Sequence, residues 1–209
     1  MTILKDRGLL GGLALAYTAF AFTFRGPRKL FWQRMTKTGL VLGSLALAAE
    51  PELRKVRIKP QDVAVGIGSA SGLYVIFQVG DRLARVILPK GGSDIDAIYG
   101  LRKLRDKREI ATRLAFVIGP AEELFWRGMV QKRLQERFGR IPGSTLGTAA
   151  YGGAHLVTGN VTLIGAATVA GAFWGAMSAL GASKGALIVS HMVWDIVIFL
   201  VAPTVKSDE

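Results

Sequence analysis

Cysteine is absent from this chain of 209 residues. Disulfides, thiolate metal sites and a cysteine nucleophile are thereby excluded. Histidine is nearly as scarce, with only His155 and His191. Charge is missing from long stretches: Gly8 to Phe24, Val63 to Val79 and Ile141 to Ser183 contain no Asp, Glu, Lys or Arg. No strand-like alternation, internal repeat or Gly-rich phosphate loop stands out. The glycines of Val65–Gly72 lie in no strand–turn–helix setting, so they are not a nucleotide fingerprint. There is also no HExxH sequence.

What the chain does have is hydrophobicity in blocks. Half of its residues are hydrophobic and its mean hydropathy is +0.35. A membrane helix needs about 20 apolar residues, with about 17 as the short limit. The longest uncharged block can supply two such helices. The pattern predicts an all-α, polytopic transmembrane helical bundle of about seven to eight membrane helices. Residues 1–209 form one integral membrane domain on this reading. The candidate spans are Gly8–Phe24, Leu30–Ala49, Val63–Val79, Ile110–Val130, Leu146–Val157, Val161–Leu180 and Gly185–Val205. Asp81–Leu88 suits a helical extension or an interfacial helix, and Lys90 to Arg108 reads as a polar, partly helical connection.

A signal peptide would also begin with basic residues such as Lys5 and Arg7. The first apolar block is long for one, no A-x-A pattern closes it and basic residues follow at once, so a retained helix is expected.

The formal net charge is +12. A basic chain raises the question of nucleic acid, but here the cations sit between the apolar blocks. Arg25, Arg28, Lys29, Arg34 and Lys37 form one group, Arg54, Lys55, Arg57 and Lys59 a second, and Arg102 to Arg108 a third. That placement fits loops facing anionic lipid at a plasma (inner) membrane and no nucleic-acid partner. The connections Arg25–Lys37 and Asp81–Arg108 are the expected cytoplasmic ones. Small residues recur four apart at Gly8/Gly12, Gly39/Gly43, Gly68/Gly72, Gly143/Gly147, Gly171/Gly175 and Gly181/Gly185. Such pairs let helices approach closely in lipid.

Ionisable groups inside segments this apolar are costly and tend to be functional. Three constellations stand out, within 110–205. In Glu122-Glu123-Leu-Phe-Trp-Arg127, Pro120 can start or kink a helix. Glu123 and Arg127 are then an i,i+4 ion pair. Glu122 points about 100° away and is left as a competent general base. A juxtamembrane charge cluster would present the same residues. His155 follows Tyr151 by one turn; a neutral core histidine bonded to a carbonyl is the alternative. His191 and Asp195 are again i,i+4. Asp195 can fix the imidazole tautomer, or the pair can bridge helices structurally.

The order Glu-Glu-x-x-x-Arg, aromatic-x-x-x-His, His-x-x-x-Asn/Asp resembles the CAAX prenyl endopeptidase and bacteriocin-processing (CPBP, or Abi) family, which includes the type II CAAX endopeptidases. The resemblance covers roughly Gly119 to Ile196. It implies an intramembrane endopeptidase whose peptide or protein substrate is membrane-associated or lipidated. Glu122 matches the glutamate that activates water and His155 its partner. His191 and Asp195 match the pair that holds the scissile carbonyl or a metal. Glu123 and Arg127 match supporting positions. Family members are often named metalloproteases, and Glu122, His155, His191 and Asp195 could ligate zinc; a metal-free mechanism is the alternative. Tyr151 stands where phenylalanine is commoner, and Asp195 where some members have asparagine. A non-enzymatic immunity or binding protein of the same fold, or a proton-coupled transporter, are the competing functions. A transporter would string its ionisable groups along a path, whereas a protease would gather them at one cavity.

Overall fold

The computed structural model describes residues 6–204, so Lys5 and Val205 lie outside the described residues. Among the described residues there is no strand. Eight helices follow in order. They are α1 (Arg7–Phe24), α2 (Phe31–Ala49), α3 (Pro60–Ile87), α4 (Gly91–Tyr99), α5 (107–138), α6 (Arg140–Ala154), α7 (Val161–Ala179) and α8 (Lys184–Ile196). A π-helical turn, Val197–Val201, prolongs α8.

The apolar blocks thus become helices, and α3 and α5 extend at both ends beyond the spans that hydropathy implied. Helix α3 runs on to Ile87, so Asp81–Leu88 is its extension. The polar connection after it folds as α4 and a 3₁₀ turn, Gly100–Leu104. Among the described residues, four helices are long and apolar enough to cross a bilayer: Arg7–Phe24, Pro60–Ile87, Val161–Ala179 and Lys184–Val201. The other expected spans do not meet that length and composition. Helix α2 carries Arg34 and Lys37 in its first half, α5 has charged ends, and α6 has only 15 residues.

Local signals explain several boundaries. Asp6 caps α1 by accepting from the Leu9 amide at 2.8 Å. Asn160 does the same for α7 through Leu163 at 2.7 Å. Such caps satisfy amides that have no partner inside the helix. Asp62 serves two helices. It accepts from the Lys59 amide at the start of α3 and from the hydroxyl of Ser183, the N-cap of α8.

Helix α5 is not uniform. Two π-helical segments, Leu114–Ile118 and Glu123–Val130, flank a short α-turn, Gly119–Glu122. Proline lacks an amide hydrogen and its ring crowds the preceding turn. Beside Pro120 the ladder widens, and the Gly119 amide bonds to the carbonyl of Leu114, five residues back. Widened turns of this kind often occur at functional sites, and here the pair Glu122–Glu123 spans the junction.

Glycine lets the other helices close on α5. Gly39 and Gly43 of α2 face Val117, Ile118 and Ala121, and a Cβ on Gly43 would lie 3.1 Å from that of Ala121. Gly12 of α1 faces Met129, and Gly143 of α6 faces the backbone of Gln135. The pair Gly68/Gly72 does not follow this pattern, because both look into open space. Gly181 is a turn residue with φ +94°. Helix α3 packs along α8 through Gly66, against Val189 and Ser190. Its other residues Val65, Ile67, Val75 and Val79 are exposed, as hydrocarbon surroundings permit.

At one end of the bundle, buried Glu50 accepts from Lys132 Nζ at 2.7 Å and Arg133 Nε at 2.6 Å. The hydrogen bond to Glu50 holds the Lys132 ammonium above the usual lysine range.

Candidate active site

Glu122 and Glu123 leave α5 in different directions, as a helix requires of neighbours. Glu123 is fully buried, and its Oε1 accepts from Arg127 at 2.9 Å, the expected i,i+4 pair. The same oxygen also accepts from His191 Nδ1 at 2.8 Å, a partnership the spacing did not indicate. Glu123 Oε2 has no hydrogen-bond partner among the described residues. The Arg127 guanidinium is enclosed as well. It lies 4.7 Å from the Tyr151 ring and 5.4 Å from the Trp174 ring, and reaches the Gly171 carbonyl at 3.4 Å. A buried charge needs this kind of compensation.

Glu122 lines a cavity of about 460 Å³. It is not free, as the helical spacing alone had suggested: Tyr151 donates its hydroxyl hydrogen to Oε2 at 2.9 Å. Tyr151 lies on α6, one turn before His155. The Tyr151 carbonyl accepts from His155 Nδ1 at 3.0 Å. A carbonyl only accepts, so Nδ1 carries the hydrogen and neutral His155 presents an unprotonated Nε2. The imidazole is packed edge-on against Phe20 of α1, with ring centroids 5.1 Å apart.

His191 comes from α8. Its ring stacks on Trp174 of α7, 3.9 Å between centroids and 18° between planes. Trp174 is held in turn by its own N–H, donated to Ser190 Oγ at 3.0 Å. Asp195 Oδ2 lies 3.6 Å from His191 Nε2, beyond a good hydrogen bond.

Glu122, Tyr151, His155, His191 and Asp195 all line the same cavity. Glu123 and Arg127 stand behind it. The rest of the wall is largely apolar, including Phe24, Phe77, Tyr99, Trp194 and Phe199. The metal set Glu122, His155, His191 and Asp195 does not fit an ion as arranged. Among the described residues no three His, Asp or Glu side chains are grouped to hold one. Trp174 and Ser190 were not singled out by sequence. An aromatic in the span preceding the His191 helix, and a hydroxyl adjacent to His191, were the available signals.

No curated protein and no solved structure matches the chain. A family model does match, over residues 109–197, and its description is type II CAAX prenyl endopeptidase Rce1-like. That stretch holds all seven motif residues from Glu122 to Asp195. Residues 109–197 are therefore similar to the Rce1-like family of type II CAAX prenyl endopeptidases, a protease family.

Proposed function

We propose that this protein is an intramembrane endopeptidase that hydrolyses a peptide bond in a membrane-associated or lipidated substrate. The observation that carries the proposal is the meeting of Glu122, His155, His191 and Asp195 at one cavity. A proton relay would need them strung along a path. The apolar wall suits a substrate that arrives from the membrane. The cations of the Arg25–Lys37 and Asp81–Arg108 connections fit anionic lipid at a plasma membrane.

In this mechanism a water sits between Glu122 and His155. Glu122 removes its proton, and the unprotonated His155 Nε2 accepts a hydrogen bond from it. The water oxygen attacks the scissile carbonyl carbon, and the carbonyl oxygen becomes an oxyanion. His191 meets that charge. Its Nδ1 donates to Glu123, and an imidazolium there donates from Nε2 to the oxyanion. Trp174 stacked beneath the ring favours the cation. Asp195 balances its charge on the Nε2 side. The intermediate then collapses, the C–N bond breaks, and Glu122 returns the proton to the leaving amine. Residues 110–205 supply this chemistry, within one membrane domain.

The test compares membrane-protein termini, by mass spectrometry, in cells expressing the wild type or Glu122→Ala. Termini lost with the variant and restored by the wild type support the proposal. Identical termini, with purified protein that also fails to cleave a prenylated CAAX peptide, would sink it.

A further inference from the structure

Tyr151 touches both halves of the proposed water-activating pair. Its hydroxyl donates to Glu122 Oε2 at 2.9 Å, and its carbonyl accepts from His155 Nδ1 at 3.0 Å. The side chain has little freedom to do otherwise. Trp126 meets its ring edge-on at 5.3 Å, and the Arg127 guanidinium lies over it at 4.7 Å. On the remaining side is Gly171, where a Cβ would come within 2.8 Å of Tyr151 Cδ1. The glycine is what leaves room for the ring. A phenylalanine could fill the same slot, make the same ring contacts and offer the same carbonyl. The hydroxyl is the part it could not supply.

We infer that Tyr151 is a positioning residue for Glu122. It occupies Oε2, so that Oε1 is the oxygen presented to water. It also fixes His155 with Nε2 as the acceptor. The groups facing the Glu122 carboxylate are then Tyr151 and His155 from the α6 side and His191 and Asp195 from α8. Among the described residues, the tyrosine is the one hydrogen-bonded to it. A carboxylate held through one oxygen loses the rotation that would otherwise carry its free oxygen off line. Small misplacements of a catalytic group are costly in rate.

This inference rests on the protease reading, and the experiment separates the two. The full-length chain is reconstituted in phospholipid vesicles and assayed with a quenched fluorogenic prenylated CAAX peptide. Tyr151→Phe should lower kcat about tenfold, the usual size for loss of a hydrogen bond to a charged group. KM and the melting temperature should stay near wild type. On the Glu122→Gln background, Tyr151→Phe should change residual turnover by less than twofold, because a positioning residue has no effect once its target is gone. Gly171→Ala, which keeps the hydroxyl but displaces the ring, should also lower kcat.

An unchanged kcat in Tyr151→Phe, or a tenfold loss that persists on the Glu122→Gln background, overturns the inference. If instead Glu122→Gln cleaves as well as wild type, or the wild type cleaves nothing, the protease reading falls and takes the inference with it.

Discussion

Glu122 touches a tyrosine hydroxyl and an open cavity, whereas Glu123, one residue on, is sealed between Arg127 and His191. The two have the same side chain, the same helix and nearly the same depth. What separates them is direction. A turn of about 100° per residue places one carboxylate where water and substrate can reach it and the other where only protein can. On the proposed reading the Glu122 side is the one that transfers protons. The Glu123 side is equipped to hold a cation and an imidazole in place. The lesson is that in such a doublet the cavity-facing member is the candidate base, and the one paired with charged and imidazole partners is the candidate for setting the geometry of its neighbours.

Substituting the two glutamates tests this contrast most directly. Glu122→Gln should reduce peptide cleavage by a factor on the order of 10² to 10⁴, the range for losing a general base. Its melting temperature should stay close to wild type, because glutamine keeps the shape and can still meet the Tyr151 hydroxyl. Retained turnover in a folded Glu122→Gln sample would erase the distinction.

The histidines sharpen it from either side. His155→Ala and His191→Ala should each remove most activity, roughly 10²-fold, and the double variant should be little worse than either alone. Initial rates on the four proteins decide the matter. Modest losses that multiply would assign the two rings to separate structural tasks.

Glu123→Gln should act on stability first. Breaking a buried ion pair leaves an uncompensated charge and costs about 3 kcal/mol or more. Low yield and a lower melting temperature are expected, read by thermal unfolding in detergent. Because Glu123 also holds His191 Nδ1, whatever folds should turn over slowly. A stable, fully active Glu123→Gln would mean that the sealed carboxylate orients nothing.

The smallest effect is expected at Asp195. It stands 3.6 Å from His191 Nε2. An asparagine amide there can donate to an oxyanion, which an ionised aspartate cannot. Asp195→Asn should change kcat by no more than a few-fold, in either direction, and a chelator should leave the wild-type rate unaltered. Loss of activity together with loss of one bound metal equivalent would replace the oxyanion role with a ligand role.

The sequence by itself determined what repeats along a helix. Uncharged blocks became helices because backbone hydrogen bonds must close within the segment in an apolar setting. The Glu123–Arg127 pair and the His191–Asp195 adjacency follow from i,i+4 spacing, which one helix sets locally. The order of the motifs was enough to point to the family.

Tertiary structure decided the contacts between helices. Glu122 meets Tyr151 from 29 residues away, and Glu123 meets His191 from 68. Such meetings depend on how α5, α6 and α8 are rotated about their axes, and periodicity along one helix carries no information about a neighbour's rotation. The same holds for Trp174 stacking on His191, and for which glycine pairs lie at interfaces. Gly39/Gly43 presses on α5 while Gly68/Gly72 faces outward. Spacing is identical in both pairs, and only the packed bundle, by placing a partner helix against one and none against the other, distinguishes them.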